Sequence, residues 1–178
     1  RFGASIQLKR EDLQVVRSYK IRGAYHKMES LSKEELQNGV VCASAGNHAQ
    51  GVAFACNKKK IKGIIYMPAP TPSQKVNQVK MFGKEYVEVV LIGDTFDAAY
   101  TEARAYADKH QSAFIPPFDD IKIIEGQGTV GKEIIEASDS PIDYLILPIG
   151  GGGLAAGVSS YFHLLSPNTK IIGVEPEG

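Results

Sequence analysis

Covalent cross-linking has almost nothing to work with in this chain. Only two cysteines, Cys42 and Cys56, occur in 178 residues, too few for a disulfide framework of the kind that staples small secreted domains. Net charge is also missing, because 20 Lys+Arg balance 20 Asp+Glu. That balance removes the electrostatic basis for binding nucleic acid or an anionic membrane surface. No apolar run reaches the length of a bilayer span, and residues 1–17 lack the charged-then-apolar order of a signal peptide. No His/Cys/Asp/Glu cluster has structural-metal spacing, and there is no internal repeat, low-complexity segment or charge block. The expectation is a soluble cytoplasmic protein with no metal, no nucleic-acid partner and no membrane contact. The chain begins at Arg1 rather than an initiator methionine and ends at Gly178 just after a strand-like run, so it is expected to be a piece of a longer protein.

What is present is an ordinary globular balance, 43% hydrophobic and 22% charged, in a chain long enough to bury a core. Short β-type runs alternate with helical ones, the pattern of an α/β fold with parallel sheets covered by helices. Strands are expected over 5–9, 39–43, 62–67, 86–92, 113–115, 144–149 and 170–174, the sixth of them buried. Helices are expected over 19–31 with Ser18 as N-cap, 47–57, from Pro72 to about 82 with Thr71 as N-cap, to about 109 from a cap at Asp94 or Thr95, 126–137 and 154–165. Asp119-Asp120 reads as a loop turn, and Cys42 as a small core residue.

Three segments have chemical potential. In Ser18-Tyr19-Lys20-Ile21-Arg22-Gly23 a lysine lies at a helix start, where the positive end of the helix dipole disfavours protonation. A neutral amine suits Schiff-base chemistry, although a lysine there also serves as a plain solvated residue. In Ser44-Ala45-Gly46-Asn47-His48-Ala49-Gln50-Gly51, small residues after a strand let backbone approach a ligand, and the next helix offers free N–H groups to an anion. An ordinary strand-to-helix turn capped by Asn47 is the competing reading. In Gly150-Gly151-Gly152-Gly153-Leu154-Ala155-Ala156-Gly157, four glycines open a helix and form a nest suited to phosphate. The spacing is neither that of a P-loop nor that of a dinucleotide fingerprint, but Glu175 after the next strand keeps nucleotide binding open.

Taken in this order, the three segments resemble the fold-type-II pyridoxal-phosphate (PLP) enzymes, whose fold is like that of the tryptophan synthase β chain. Leu8-Lys9-Arg10-Glu11-Asp12-Leu13 and Gly126-Gln127-Gly128-Thr129 extend the match. Within the group the chain is similar to the threonine deaminases. The resemblance implies that Lys20 carries PLP as a Schiff base and acts as the catalytic base, and that Asn47 bonds the ring oxygen. It implies that Gly150, Gly151, Gly152, Gly153 and Leu154 hold the phosphate through backbone N–H groups, and that Ser44, Ala45, Gly46, Asn47 and His48 receive the substrate carboxylate. It further implies two subdomains, residues 1–38 with 117–178 as a partial larger one and 39–116 as a smaller mobile one. The implied reaction is β-elimination and deamination of L-threonine to 2-oxobutanoate and ammonia, with L-serine to pyruvate as a side activity, in a homo-oligomer. A serine dehydratase or racemase of the same group, or a non-catalytic phosphate- or nucleotide-binding module, are the alternatives. Racemases of the group carry a serine where this chain has Ala45. The family serine or threonine that faces the pyridine nitrogen would lie beyond Gly178. Glu125 stands where relatives often have a small residue.

Overall fold

The computed structural model describes residues 3–177, and it is α/β. Strands β1 (Val40–Ala43), β2 (Gly63–Met67), β3 (Val87–Leu91) and β4 (Ala113–Phe114) form a parallel sheet in the order β3-β2-β1-β4. The helices between them are α3 (Asn47–Lys59), α4 (Ser73–Gly83) and α5 (Phe96–His110), preceded by α1 (Lys20–Ser30) and the single turn α2 (Lys33–Leu36). Because β-strand side chains alternate, β1 feeds two cores. Val40 and Cys42 point to α3 and α4, with Val52, Cys56 and Val79; Val41 and Ala43 point to α5, with Ala99, Ala103 and Ala107. Both cysteines are thus small apolar core residues, buried and unpaired. A second parallel sheet pairs β5 (Tyr144–Pro148) with β6 (Lys170–Val174), and α6 (Ile121–Ala137) and α7 (Gly153–Leu165) cover one face of it.

Local chemistry moves several expected boundaries. Residues 5–9 form no strand, since no neighbouring strand offers them hydrogen bonds; they lead into a short turn at Glu11–Leu13. Tyr19, already helical in backbone, caps α1 in place of Ser18, whose buried hydroxyl has no partner. Pro72 sits at the N-cap of α4 with an extended ψ of 138°, one residue later than expected. Asp120 is a helix cap, accepting from the N–H groups of Lys122 (2.8 Å) and Ile123 (3.1 Å), so α6 begins five residues early. The turn α2 carries a capping box between Ser32 and Glu35. Strand β5 is buried on one face only: Leu145 and Leu147 face the helices while Tyr144 and Ile146 are exposed. No helix among the described residues is long and apolar enough to cross a membrane.

Helix α1 packs against α3 and α6, and α6 against α7, at glycines. A Cβ on Gly51 of α3 would lie 3.0 Å from the Lys20 carbonyl oxygen. One on Gly126 would lie 2.7 Å from both the Arg22 carbonyl oxygen and the Gly23 Cα, and one on Gly157 of α7 would lie 2.6 Å from the Gly128 nitrogen. These obstacles are backbone atoms, which have no rotamer in which to move aside. Gly126→Ala is therefore expected to destabilise the fold by about 1–3 kcal/mol, the usual range for overpacking. Gly150, where an added Cβ would meet nothing within 4 Å, serves as the control: Gly150→Ala should change stability by less than about 0.5 kcal/mol. Urea denaturation midpoints compare the two directly.

Candidate active site

In a doubly wound sheet a ligand crevice opens at the carboxyl ends of the strands where the order reverses. Here the chain steps outward from β1 to β2 and β3, then returns to β4 on the other side of β1. The loop after β1 holds Ser44, Ala45 and Gly46, and the segment after β4 is Ile115-Pro116-Pro117-Phe118. Lys20 meets them there. As the first residue of α1, its Nζ donates to the Pro117 carbonyl at 2.6 Å. Half-buried, and in no ion pair among the described residues, the amine has its pKa pushed down by burial. A neutral amine is the nucleophilic form.

The Ser44–Gly46 loop is held by its own backbone. Ser44 N–H donates to the Tyr66 carbonyl (3.0 Å), and the Ser44 hydroxyl accepts from Gly46 N–H (3.2 Å). Ala45 packs against the core, whereas Asn47 is exposed at the first position of α3. No side chain caps α3, so its first N–H groups are available to an anion. His48 turns inward. It is 3% exposed, and its Nε2–H donates to the Ile115 carbonyl at 2.9 Å. Because a carbonyl only accepts, that bond fixes the proton on Nε2. Burial, with the nearby Lys20 amine adding to it, lowers the His48 pKa to about 4 against the opposing effect of the Ile115 hydrogen bond.

The glycine loop Gly150–Gly153 runs from β5 to α7. Gly152 takes the left-handed conformation (φ 83°) as the N-cap of α7, again with no side-chain cap. Gly150 and Gly152 border open space, while Gly151 abuts the Phe118 ring and Gly153 the Phe118 backbone. Leu154 is buried in the second core, so only its backbone is free to serve a ligand. Phe118 is the residue that sequence reasoning missed. With Pro117 it forms one dipeptide touching Lys20 on one side and the glycine loop on the other. No local signal in the sequence marks it, because its contacts are with distant residues. Two residues lie apart from this grouping. Glu125 is exposed and pairs with Lys122 (2.8 Å) and His26 (3.0 Å), and Glu175 is exposed just after β6.

The donor set suits a phosphorylated aldehyde. It supplies an amine without a carboxylate partner among the described residues, an open glycine cradle at the N-terminus of α7, and a second uncapped helix start at Asn47. PLP combines the aldehyde and the phosphate that such a set would hold.

Neutral burial of His48 has a consequence for stability. Its ordinary pKa is 6.5 and its folded value about 4, so between these values the unfolded chain binds more protons than the folded one. Stability therefore rises with pH across that window, is complete above it, and is lost as pH falls through it. The full contribution is about 3 kcal/mol. Parent and His48→Gln should lose stability differently between about pH 7 and about pH 4.5, with the parent falling further. Denaturation curves at the two pH values measure the difference.

Comparison with known proteins agrees with this chemistry. A family model described as pyridoxal-phosphate dependent enzyme matches residues 1–178. Among similar curated proteins, the biosynthetic L-threonine dehydratase IlvA of Halalkalibacterium halodurans is 61% identical over 178 residues, covering 100% of this chain and 43% of that protein. The enzyme of the same name from Bacillus subtilis is 54% identical over 178 residues, again over 100% of this chain and 42% of its own length. The chain thus spans less than half the length of these relatives. Among solved structures, processed threonine deaminase isoform 2 of Solanum lycopersicum superposes with a TM-score of 0.90 at 51% identity, over 94% of this chain and 45% of that one. Serine racemase of Dictyostelium discoideum gives 0.86 at 36%, over 94% and 53%. With a match along its whole length and an amine, a glycine cradle and open helix starts at the switch point of its sheet, the chain belongs to the pyridoxal-phosphate dependent enzyme family.

Proposed function

We propose that this chain is part of the catalytic unit of a threonine ammonia-lyase that converts L-threonine to 2-oxobutanoate and ammonia, with L-serine to pyruvate as a slower side reaction. The observation that carries this reading is Lys20, an amine kept from ion pairing and lowered in pKa by burial, beside the glycine cradle. Bound PLP would supply the electron sink that makes the α-hydrogen of an amino acid acidic. Backbone N–H groups of Gly150 to Gly153 and Leu154 would take its phosphate, and Asn47 its ring oxygen. The Ser44–His48 loop would take the substrate carboxylate at the start of α3. Lys20, once released from the cofactor, would move the proton at the substrate α-carbon, with Pro117 as its resting acceptor. Residues 39–116 form the smaller unit in this reading, and its closure over the substrate would exclude water. The role is in isoleucine biosynthesis, in the cytoplasm and as a homo-oligomer. Identities of 61% and 54% to proteins named biosynthetic L-threonine dehydratase support the biosynthetic role.

The spectrum of the protein with PLP tests the proposal. A visible band should form, borohydride should fix the cofactor on Lys20, and Lys20→Ala should lose both the band and activity on threonine by about 1,000-fold or more. Absence of the adduct from the folded full-length parent would refute the reading.

Elimination is favoured over racemisation by Ala45, which has no group able to return a proton. The parent should give no D-serine from L-serine, and Ala45→Ser should gain it, as chiral chromatography of the products would show. Equal D-serine from both proteins would remove position 45 as the determinant.

A further inference from the structure

The function proposed above leaves the His48 ring without a task, yet the ring is buried and committed to one bond. Its acceptor, Ile115, is fully buried and extends β4 by donating its own N–H to the Val41 carbonyl at 2.8 Å. Two prolines follow. Neither has an N–H, and each has a fixed φ, so beyond the Ile115 N–H the strap from Ile115 to Pro117 is stiff but cannot anchor itself by donating hydrogen bonds. Its remaining attachment is the Pro117 carbonyl, which accepts from Lys20 Nζ at 2.6 Å. His48 and Lys20 thus grip the two ends of a three-residue strap. Among the described residues no other hydrogen bond ties the Pro116-Pro117 backbone.

We propose that His48 is a positioning residue: by holding the Ile115 carbonyl it fixes the strap, and the strap sets where the free Lys20 amine rests. The functional meaning of this rests on the reading of Lys20 as the reactive amine, but the mechanical link does not. The donor must stand at the distance of Nε2 from the main chain. Glutamine places an amide nitrogen at nearly that reach, and asparagine falls short of it. Neutral His48 and the Tyr19 ring, 5.7 Å from Nζ, lie beside the amine, and the strap is its one hydrogen-bond contact among the described residues, the one whose loss would release Lys20 to solvent.

The test uses the full-length protein freed of cofactor by hydroxylamine and dialysis. Competitive acetylation across pH, read on the Lys20 peptide by mass spectrometry, reports the amine itself and needs no activity. His48→Asn should shift the Lys20 labelling profile toward that of an ordinary lysine. It should also slow adduct formation with added PLP by about threefold to tenfold, the equivalent of one net hydrogen bond. His48→Gln should retain both parental values. A folded His48→Asn protein, shown by circular dichroism, with the parental labelling profile would overturn the proposal. If His48→Asn fails to fold, Pro116→Gly loosens the strap with His48 in place, and an unchanged profile there overturns it equally. Failure of the PLP reading is separately visible, as a parent that labels at Lys20 but forms no borohydride-stable adduct.

Discussion

Three pairs of helices approach so closely around Lys20 that backbone touches backbone, and the site's geometry follows from that constraint. Gly51 places α3 against the Lys20 carbonyl, Gly126 places α6 against Arg22 and Gly23, and Gly157 places α7 against Gly128. The Gln127 side chain then accepts from the Gly23 N–H at 3.3 Å, inside the α1–α6 contact. Larger residues at these points would push α3 away from α1 and α7 away from α6, and with them the two uncapped helix starts. Most glycines of the sequence motifs fall into two groups, with Gly151 and Gly153 instead abutting Phe118. Gly46, Gly150 and Gly152 border open space and leave room for a ligand, while Gly23, Gly51, Gly126 and Gly157 bring the helices together.

The outer side of the same packing is closed by charge. Arg22 follows Lys20 by two residues and so leaves the opposite side of α1. It bonds Glu11 at 2.8 Å and Glu133 at 2.6 Å, and Lys9 joins the same two carboxylates. Hydrogen bonds from Arg22 pull the Glu133 carboxyl down to about 2. Burial works against ionisation of Glu11, but bonds from Arg22 and Lys9 outweigh it and leave its pKa lowered. Through this network a segment with no regular strand is held against α1 and α6. Leu8–Leu13, which on sequence alone belonged to the family pattern without an evident purpose, therefore has a structural one.

Much of the fold was legible because its signals are local. The short apolar runs of β1, β2 and β3, the proline and glycine stops, and the Thr95 cap of α5 all depend on neighbours a few residues away. Features set by distant partners were not legible. Residues 5–9 have strand-like chemistry but no strand beside them. Strand β5 reads as buried, yet only one of its faces meets helices. Asp120 looks like a turn residue until α6 is seen to start there and Lys27, 93 positions away, pairs with it. Lys20, Asn47 and the glycine loop could be marked from motif and dipole arguments. Phe118 and the inward turn of His48 could not, because their significance lies wholly in contacts across the fold.

The electrostatics of the assembled site argue for the charge of its ligand. Two helix starts, at Asn47 and Gly153, direct uncompensated N–H groups into the crevice, each carrying roughly half a positive charge. No carboxylate pairs with Lys20 there among the described residues, and burial disfavours a cation on its amine. The protein therefore provides positive potential in two places and, between them, an amine whose pKa burial lowers. A neutral or cationic ligand would leave both helix starts unsatisfied. A ligand with an anion at each end, a phosphate at the glycine loop and a carboxylate at the Ser44–His48 loop, would satisfy both and bring its reactive centre to Lys20. Cofactor and amino-acid substrate joined together have that distribution of charge.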